Sequence, residues 1–226
     1  MCGEIIPFFA LSFDGVNDFV YASHSTKLNV TTNATFEAWV NIDTYENYHA
    51  WIYKRNGGAN TPQYRVSMQT TNKWGATWND GSFRNIAGGD ISANIGSWVH
   101  FAVTVESTVF CLYKNGVLEY STTLANTIPT STGLFYLGRQ FEDSAYWDGK
   151  IADIRIWNTT RTGDDINSNK SRLLTGNESG LVLYYPINEG SGNTLSDATT
   201  NGLDGTIDGA SWERVGNVVN GFYVFG

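Results

Sequence analysis

Cysteine and proline are scarce in this chain. Its 226 residues include only two cysteines and four prolines, which excludes the densely crosslinked folds of small secreted domains. Nothing in the sequence favours a bridge between Cys2 and Cys111. We interpret them as a terminal thiol and a small strand residue, and the bridge stays open. A chain of this length buries enough surface on folding to need no such crosslink.

Positive charge is also in short supply. Lys and Arg total 14 against 22 Asp and Glu, which gives a net charge of −8. That charge repels a phosphate backbone, so we expect no nucleic-acid partner. No apolar run reaches the roughly 20 residues that span a bilayer, so we expect no membrane insertion. Residues 1–12 lack the basic start and long apolar stretch of a secretory signal, and no signal peptide is expected in this chain.

Aromatic and small residues take the place of the missing charge. Only 16% of residues are charged, against about 25% in an ordinary domain, whereas 14% are aromatic and 24 are glycine. This balance favours many short strands joined by tight turns. Asn115-Gly116 predicts a hairpin with a type I′ turn. Strands are predicted at 8–13, 19–22, 34–42, 50–54, 63–69, 75–79, 98–106, 109–114, 117–122, 134–138, 151–157 and 181–186.

One short helix is predicted over about 163–174. Thr162 is a suitable N-cap, Asp165 stands three residues later, and acidic residues favour the first turn of a helix. Apolar residues then recur at helical spacing, and Gly176 can end the helix. With no break in composition, the chain reads as all-β with this one helix.

The run from Trp147 to Asn158 predicts a strand that follows an Asp-Gly turn. Simple alternation would place Ala152, Ile154 and Ile156 on one face. Ile151, Asp153, Arg155 and Trp157 would then lie on the other face, where Asp153 can pair with Arg155.

Several stretches, taken in order, resemble the laminin-G-like, concanavalin A-like jelly-roll superfamily. They are 10–20, 35–40, 96–102, 112–117, 137–139, 147–158, 174–181, 188–192 and 204–206. The resemblance implies a two-sheet antiparallel jelly-roll sandwich in which the first and last strands can be neighbours. We predict one domain over 1–216, followed by an apolar C-terminal hairpin or docking tail over 217–226.

Carboxylates are not spaced for glycoside hydrolysis. Retaining glycosidases need two carboxyl groups about 5 Å apart, which a strand provides from positions two residues apart. No two acidic residues in the chain have that spacing, and none of the three histidines has a Ser or Cys arrangement that suggests nucleophilic catalysis. We therefore expect no catalytic residues and no enzyme activity.

A calcium site is the one cofactor site that the sequence leaves open. Asp14, Asn17 and Asp18 place three oxygen ligands within five residues, and many relatives implied by the resemblance bind calcium at the sandwich rim. The alternative is a turn whose carboxylates accept nearby backbone N–H groups. Ala152 stands where the family often has an Asp, which weakens the calcium interpretation.

Aromatic residues in polar loops are the candidate ligand-binding residues. Stacking platforms for sugars combine an aromatic ring with polar neighbours. Such rings occur at Tyr48, Trp74, Trp78, Tyr146 and Trp147. The tryptophans inside the strand motifs, at positions 39, 98 and 157, are interpreted as core residues.

The sequence thus predicts a non-enzymatic recognition or adhesion module that binds carbohydrate or a surface protein. The alternative is a virion structural protein, either a capsid decoration or a tail or fibre subunit. A glycoside hydrolase is disfavoured. The apolar termini favour a homo-oligomer or a larger assembly. An extracellular or virion-surface location is expected.

Overall fold

Two antiparallel β-sheets account for most of the computed structural model, which describes residues 6–57, 61–140 and 145–226. Among these residues, nine strands form the first sheet. In chain order they are β1 Ile6–Asp14, β3 Asn33–Ile42, β8 Trp98–Glu106, β9 Val109–Lys114, β10 Val117–Thr123, β14 Asp148–Trp157, β15 Leu181–Tyr185, β18 Ser211–Val219 and β19 Phe222–Phe225. Their spatial order is β10-β9-β8-β3-β14-β1-β18-β19, and β15 pairs with β14.

The second sheet has eight strands within the described ranges. They are β2 Phe19–Ala22, β4 Ala50–Arg55, β5 Pro62–Met68, β6 Lys73–Asn79, β7 Phe83–Asp90, β11 Phe135–Leu137, β16 Thr194–Leu195 and β17 Gly205–Asp208. Their spatial order is β16-β17-β2-β11-β4-β5-β6-β7. Strands β12 Arg139–Gln140 and β13 Ala145–Tyr146 pair with each other in a separate two-stranded sheet. The predicted all-β sandwich is confirmed.

The core lies between the two sheets. Val40 and Phe101 contribute to it from the first sheet, and Trp51, Val66 and Trp78 from the second. Large aromatic side chains fill much of this space, and burial of each one stabilises the fold by about 1.5–3 kcal/mol. The predicted hairpin at Asn115-Gly116 is confirmed, because both residues have positive φ, 52° and 82°, as a type I′ turn requires.

The helix α1 is shorter than predicted. It spans Gly163–Asn169 and begins with a capping box between Thr162 and Asp165. It ends well before 174 because the following residues pair with the C-terminal hairpin instead. The Leu173 N–H donates to the Gly221 carbonyl at 2.8 Å. In the part of the chain that the structure describes, no helix is long and apolar enough to cross a membrane.

Strand β14 contains a bulge at Asp153. Ala152 pairs with Trp39 and Arg155 with Glu37, so two residues of β14 stand opposite one residue of β3. Asp153 adopts a φ of 53° at this point, in the left-handed region that Asp tolerates better than most residues.

The extra residue at the bulge changes which side chains of β14 face the core. Ile151, Ile154 and Ile156 all face the core between the sheets, whereas Ala152 and Arg155 lie on the outer face. The prediction of simple alternation, which put Ile151 opposite Ile154, is wrong because the extra residue shifts the pattern by one position.

The segment that includes α1 covers part of the outer face of the first sheet. The Trp39 Nε1–H donates to the Lys170 carbonyl at 2.6 Å. The guanidinium of Arg155 donates to the Asn169 carbonyl at 2.9 Å and to the Arg172 carbonyl at 2.6 Å. Side chains of two strands therefore hold this segment in place, and the sheet surface beneath it is closed to ligands.

A buried ion pair lies beneath the same segment. Arg155 Nη2 is 2.6 Å from Asp153 Oδ2, and both side chains are fully buried. The Tyr223 hydroxyl donates to the other carboxylate oxygen at 3.1 Å. Burial raises the pKa of Asp153 to about 6, although the Arg155 charge opposes this rise. The predicted pairing of Asp153 with Arg155 is confirmed.

The C-terminal hairpin belongs to the first sheet. Strand β18 pairs with β1, and β19 turns back onto β18 through Asn220-Gly221. The Tyr223 ring stacks on Phe8 with centroids 4.1 Å apart. The backbone N–H of Tyr223 donates to the Ser171 carbonyl at 2.7 Å, so the segment after α1 covers part of the outer edge of β19.

The buried histidine of this face should make stability depend on pH. Burial lowers the pKa of His100 below its ordinary 6.5, against the opposing effect of Glu37, whose Oε2 is 3.4 Å from Nε2. The folded state therefore binds this proton more weakly than the unfolded chain does. The stability that neutral His100 provides is complete above pH 6.5 and is lost as the pH falls, by at most about 1.4 kcal/mol per pH unit.

Urea unfolding of the His100→Gln variant beside the unmodified chain tests this expectation. Between about pH 7 and about pH 5 the unmodified chain should lose more stability than the variant. Parallel pH profiles for the two proteins would show that His100 does not titrate between those limits.

Candidate functional site

A row of polar and aromatic side chains crosses the outer face of the second sheet. The row is defined by direct pairing between neighbouring strands from β17 to β7. In order it consists of Thr206, Tyr21, Tyr136, Tyr53, Arg65, Thr77 and Asn85. Residues next to the row along the strands, such as Val66 and Ala76, face the core. The row therefore points away from the core.

The β12–β13 hairpin covers part of this face. The Arg139 guanidinium lies 4.6 Å from the Phe19 ring centroid and 5.7 Å from that of Tyr146. Gln140 contacts Arg65 through its side-chain oxygen and is itself buried. Both ends of the row stay exposed, at Thr206 and Tyr21 on one side and at Asn85 on the other.

An open cleft of about 270 Å³ lies at the β7 end of the row. Tyr48, Arg65, Phe83 and Asn85 line it. Tyr48 is 39% exposed and Phe83 is 52% exposed, so the cleft presents two accessible aromatic rings. Strands β5 and β7 position Arg65, Phe83 and Asn85, and the loop before β4 supplies Tyr48. Rigid strands thus hold most of the site.

Arg65 is a buried cation at the base of this cleft, with only 3% of its surface exposed. Its guanidinium donates to the Gln140 side-chain oxygen and to Thr77 Oγ1, the latter at 2.9 Å. Its Nε–H has no hydrogen-bond partner among the described residues. Burial lowers the pKa of Arg65 to about 10, which nearby tyrosines partly oppose.

A short relay of hydrogen bonds orients Asn85. The Thr77 hydroxyl accepts from Arg65, so its proton is free to donate to Asn85 Oδ1, which is 2.8 Å away. With its oxygen used in this way, the Asn85 amide presents its NH₂ group as a donor. Arg65 and Asn85 therefore both offer hydrogen-bond donors to the cleft.

Tyr48 adopts an unusual backbone conformation for a bulky residue. Its φ is 67°, in the left-handed region. The Arg65 guanidinium lies 5.2 Å from the centroid of its ring, within the range of a cation–π contact. Strained residues of this kind are often found at ligand sites, and here the conformation belongs to a ring that lines the cleft.

A profile of the laminin-G-type branch of the concanavalin A-like lectin/glucanase superfamily matches residues 14–167, which is more than half of the chain. The chain belongs to the concanavalin A-like lectin/glucanase superfamily. No curated protein sequence matches it.

Solved structures share the fold of this concanavalin A-like chain at low sequence identity. A Bacteroides ovatus protein provisionally assigned as carbohydrate-binding has a TM-score of 0.71 and 18% identity, over 98% of this chain and 62% of that one. The chain thus spans less than two thirds of that protein.

Two further structures are parts of glycosidases. Domain 4 of an extracellular arabinanase from Geobacillus stearothermophilus, in complex with arabinotriose, has a TM-score of 0.56 and 16% identity, over 74% of this chain and 86% of that one. The carbohydrate-binding module of a Ruminococcus gnavus sialidase, bound to sialyllactose, has a TM-score of 0.55 and 8% identity, over 70% and 95%.

The aromatic candidates from the sequence divide into two groups in this concanavalin A-like domain. Tyr48 lines the cleft, and Tyr146 lies under Arg139 on the same face of the second sheet. Trp74, Trp78 and Trp147 are buried in the core, so the expectation that they are exposed is wrong.

Each buried tryptophan has a packing reason. Trp74 donates its Nε1–H to Glu119 at 2.8 Å, and Trp78 stacks on Phe110 with centroids 3.9 Å apart. Trp147 meets Trp51 edge-on with centroids 5.5 Å apart. Of the tryptophans interpreted as core, Trp39 and Trp157 are buried on the outer face of the first sheet, and Trp98 is half-buried there.

The proposed calcium ligands form a turn held by their own backbone. Asp14 Oδ1 accepts the Val16 N–H at 2.9 Å, and Asp18 Oδ2 accepts the Asp14 N–H at 3.0 Å. Burial raises the pKa of Asp18, and the charges of Asp14 and Asp208 add to this rise. Within the described residues, no three His, Cys, Asp or Glu side chains lie close enough to hold a metal. Calcium at Asp14, Asn17 and Asp18 stays a prediction.

Three residues of the cleft were missed by sequence reasoning. Arg65 is a single charge inside a predicted strand, and Phe83 and Asn85 lie on strand β7, which was not predicted. The Asp80-Gly81 turn that follows β6 was a usable signal, because such a turn favours a returning strand.

Proposed function

We propose that this protein is a non-enzymatic carbohydrate-binding module whose ligand lies in the cleft between Tyr48 and Phe83. The observation that carries the proposal is the pairing of two exposed aromatic rings with the donors of Arg65 and Asn85. Sugar rings present apolar C–H faces that stack on aromatic rings, and hydroxyl groups that accept hydrogen bonds. Similarity to sugar-binding structures supports this choice of ligand class.

Replacement of Phe83 by Ala should lower the affinity for the saccharide by at least about tenfold, because an exposed platform ring would be lost. The matched control is Tyr120→Ala, which removes another exposed aromatic side chain from strand β10 of the other sheet. A glycan array finds the ligand, and calorimetric titration compares the three proteins. Equal affinity of Phe83→Ala and the unmodified chain would place binding elsewhere.

Binding without hydrolysis is part of the proposal. We expect no release of reducing sugar from any saccharide that the array identifies, since none of the described residues that line the cleft is a carboxylate. We also propose an extracellular location, which suits the glycan ligands of proteins with this fold. Detectable product from the bound saccharide would replace the binding role with an enzymatic one.

A role as a subunit of a virion surface or similar assembly is the second candidate. The observation that favours it is strand β10, at one edge of the first sheet, where Val117, Leu118 and Tyr120 are exposed. An exposed apolar edge strand is suited to pairing with another chain. Light scattering of the full chain and of Leu118→Lys separates the candidates, because an assembly subunit should form an oligomer that the lysine disrupts.

A further inference from the structure

We infer that the cleft selects anionic saccharides, and that Arg65 is the residue that recognises their charge. The inference rests on the proposed function and adds the ligand class to it. A carboxylate-bearing or sulfated sugar would stack against Tyr48 and Phe83, and its acidic group would meet the guanidinium.

The charge of Arg65 is unbalanced among the described residues. None of their carboxylates lies within ion-pair distance of the guanidinium. Its two partners, Gln140 and Thr77, are both neutral. A buried charge without a counter-charge is costly, and buried arginines are generally paired. An anionic ligand would supply the missing partner.

The Arg65 guanidinium also has more N–H donors than the described residues accept. Arginine carries five N–H groups, and the structure shows two of them in hydrogen bonds. The Nε–H is buried and without a partner among the described residues. Asn85 adds a further donor to the cleft, because its oxygen accepts from Thr77 and its NH₂ group is left to donate. Among the described residues, the site consists of these donors and one cation with no carboxylate within ion-pair distance, which fits an acceptor-only group such as a carboxylate or a sulfate.

The negative net charge of the chain does not prevent this. At physiological ionic strength, charges farther apart than about 8 Å are largely screened, whereas a desolvated contact with Arg65 is not. The nearest cation along β7, Arg84, is already paired with Asp80 at 3.1 Å. Among the residues that the structure describes, Arg65 therefore gives the cleft a local positive charge on an acidic protein.

The test compares matched saccharides on the full chain. An array of neutral, carboxylated and sulfated oligosaccharides distinguishes the two acidic sources. The tightest acidic binder is then titrated beside its neutral counterpart, the methyl ester of a carboxylate or the desulfated form of a sulfate. We expect the acid to bind about tenfold tighter or more, because charge-assisted hydrogen bonds are among the stronger ones.

Variants assign the preference to Arg65. Arg65→Met should bring the acid-to-neutral ratio to about one, and Arg65→Lys should keep part of the preference because it keeps the charge. The control is Arg84→Met, which removes a neighbouring cation. Arg84 stands opposite Trp78 in the strand register, so its side chain lies on the other face of the sheet from Phe83. This variant should leave the acid-to-neutral ratio unchanged. Thermal melting checks that each variant folds, and the acid-to-neutral comparison on the unmodified chain needs no variant.

Failure of the anionic preference and failure of carbohydrate binding give different results. If the unmodified chain binds an acid and its neutral counterpart equally, and Phe83→Ala loses both, the anionic preference is overturned and carbohydrate binding stands. If no saccharide of any class binds, carbohydrate binding itself is overturned, and the preference with it.

Discussion

Arg155→Met should lower the free energy of unfolding by about 3–5 kcal/mol, one of the largest effects of a single substitution in this chain. The guanidinium balances the buried Asp153 carboxylate at 2.6 Å. It also satisfies the carbonyls of Asn169 and Arg172, which hold the segment around α1 on the first sheet. Methionine fills much of the space but removes the positive charge beside the buried Asp153 carboxylate, which keeps the Tyr223 hydroxyl, and it removes the donor of two carbonyls.

Urea unfolding measures this loss, and hydrogen exchange locates it. The amides of 163–173 should exchange faster in the variant, because this segment loses its anchor to the sheet. The matched control is Arg161→Met. Arg161 lies 4.5 Å from the ring centroid of Trp157, and its ion pair with Asp165 is partly exposed. Its loss should therefore cost about 1 kcal/mol or less. Similar losses in both variants would mean that the buried pair has no special part in holding the segment.

Trp78→Ala should destabilise the protein by about 3–5 kcal/mol, whereas Phe83→Ala should change stability by no more than about 0.5 kcal/mol. The two aromatic residues stand on either side of the same turn, at Asp80-Gly81. Trp78 is 1% exposed and stacks on Phe110, so its removal leaves a large cavity between the sheets. Phe83 points outward into the cleft, where water replaces it at little cost.

Chemical unfolding and saccharide titration of the same two variants separate packing from binding. Trp78→Ala should lose stability and, where it stays folded, keep affinity for the saccharide. Phe83→Ala should do the reverse. A Trp78 variant that is fully stable but fails to bind would restore that tryptophan as a platform and contradict the assignment of the cleft.

Local rules were sufficient for much of the fold. The positive φ values of Asn115 and Gly116 follow from an Asn-Gly pair between two strand patterns, and the capping box at Thr162 follows from Asp165 three residues later. Each of these features depends on neighbours in the sequence, which is why the sequence alone predicted them.

Features that depend on distant partners were not predictable in the same way. The bulge at Asp153 lets Ile151 and Ile154 both face the core while Arg155 reaches the carbonyls of the segment that includes α1, and that segment is distant in the sequence from β3. Strand β7 carries two adjacent glycines, which weaken its β-pattern. A Cβ at Gly88 would lie 2.7 Å from Trp74 Nε1, so the reason for that glycine lies on another strand.

The candidate site was predicted only in its loop residues. Tyr48 stood out because aromatic residues in polar loops are often exposed. By the same rule Trp78 and Trp147 were expected to be exposed, yet tertiary packing buries them. Arg65 was not predictable as a site residue, because its role depends on Thr77, Gln140 and Asn85, which only the folded sheet brings together.

The most direct test of the central claim is a nitrogen-15 NMR titration of the full chain with the saccharide that the array identifies. If the ligand occupies the cleft, the Asn85 side-chain amide and the Arg65 Nε–H should shift with the ligand concentration, and so should the backbone amides of Tyr48 and Phe83. Shifts confined to the Asp14–Asp18 turn, with the cleft signals unchanged, would contradict the account.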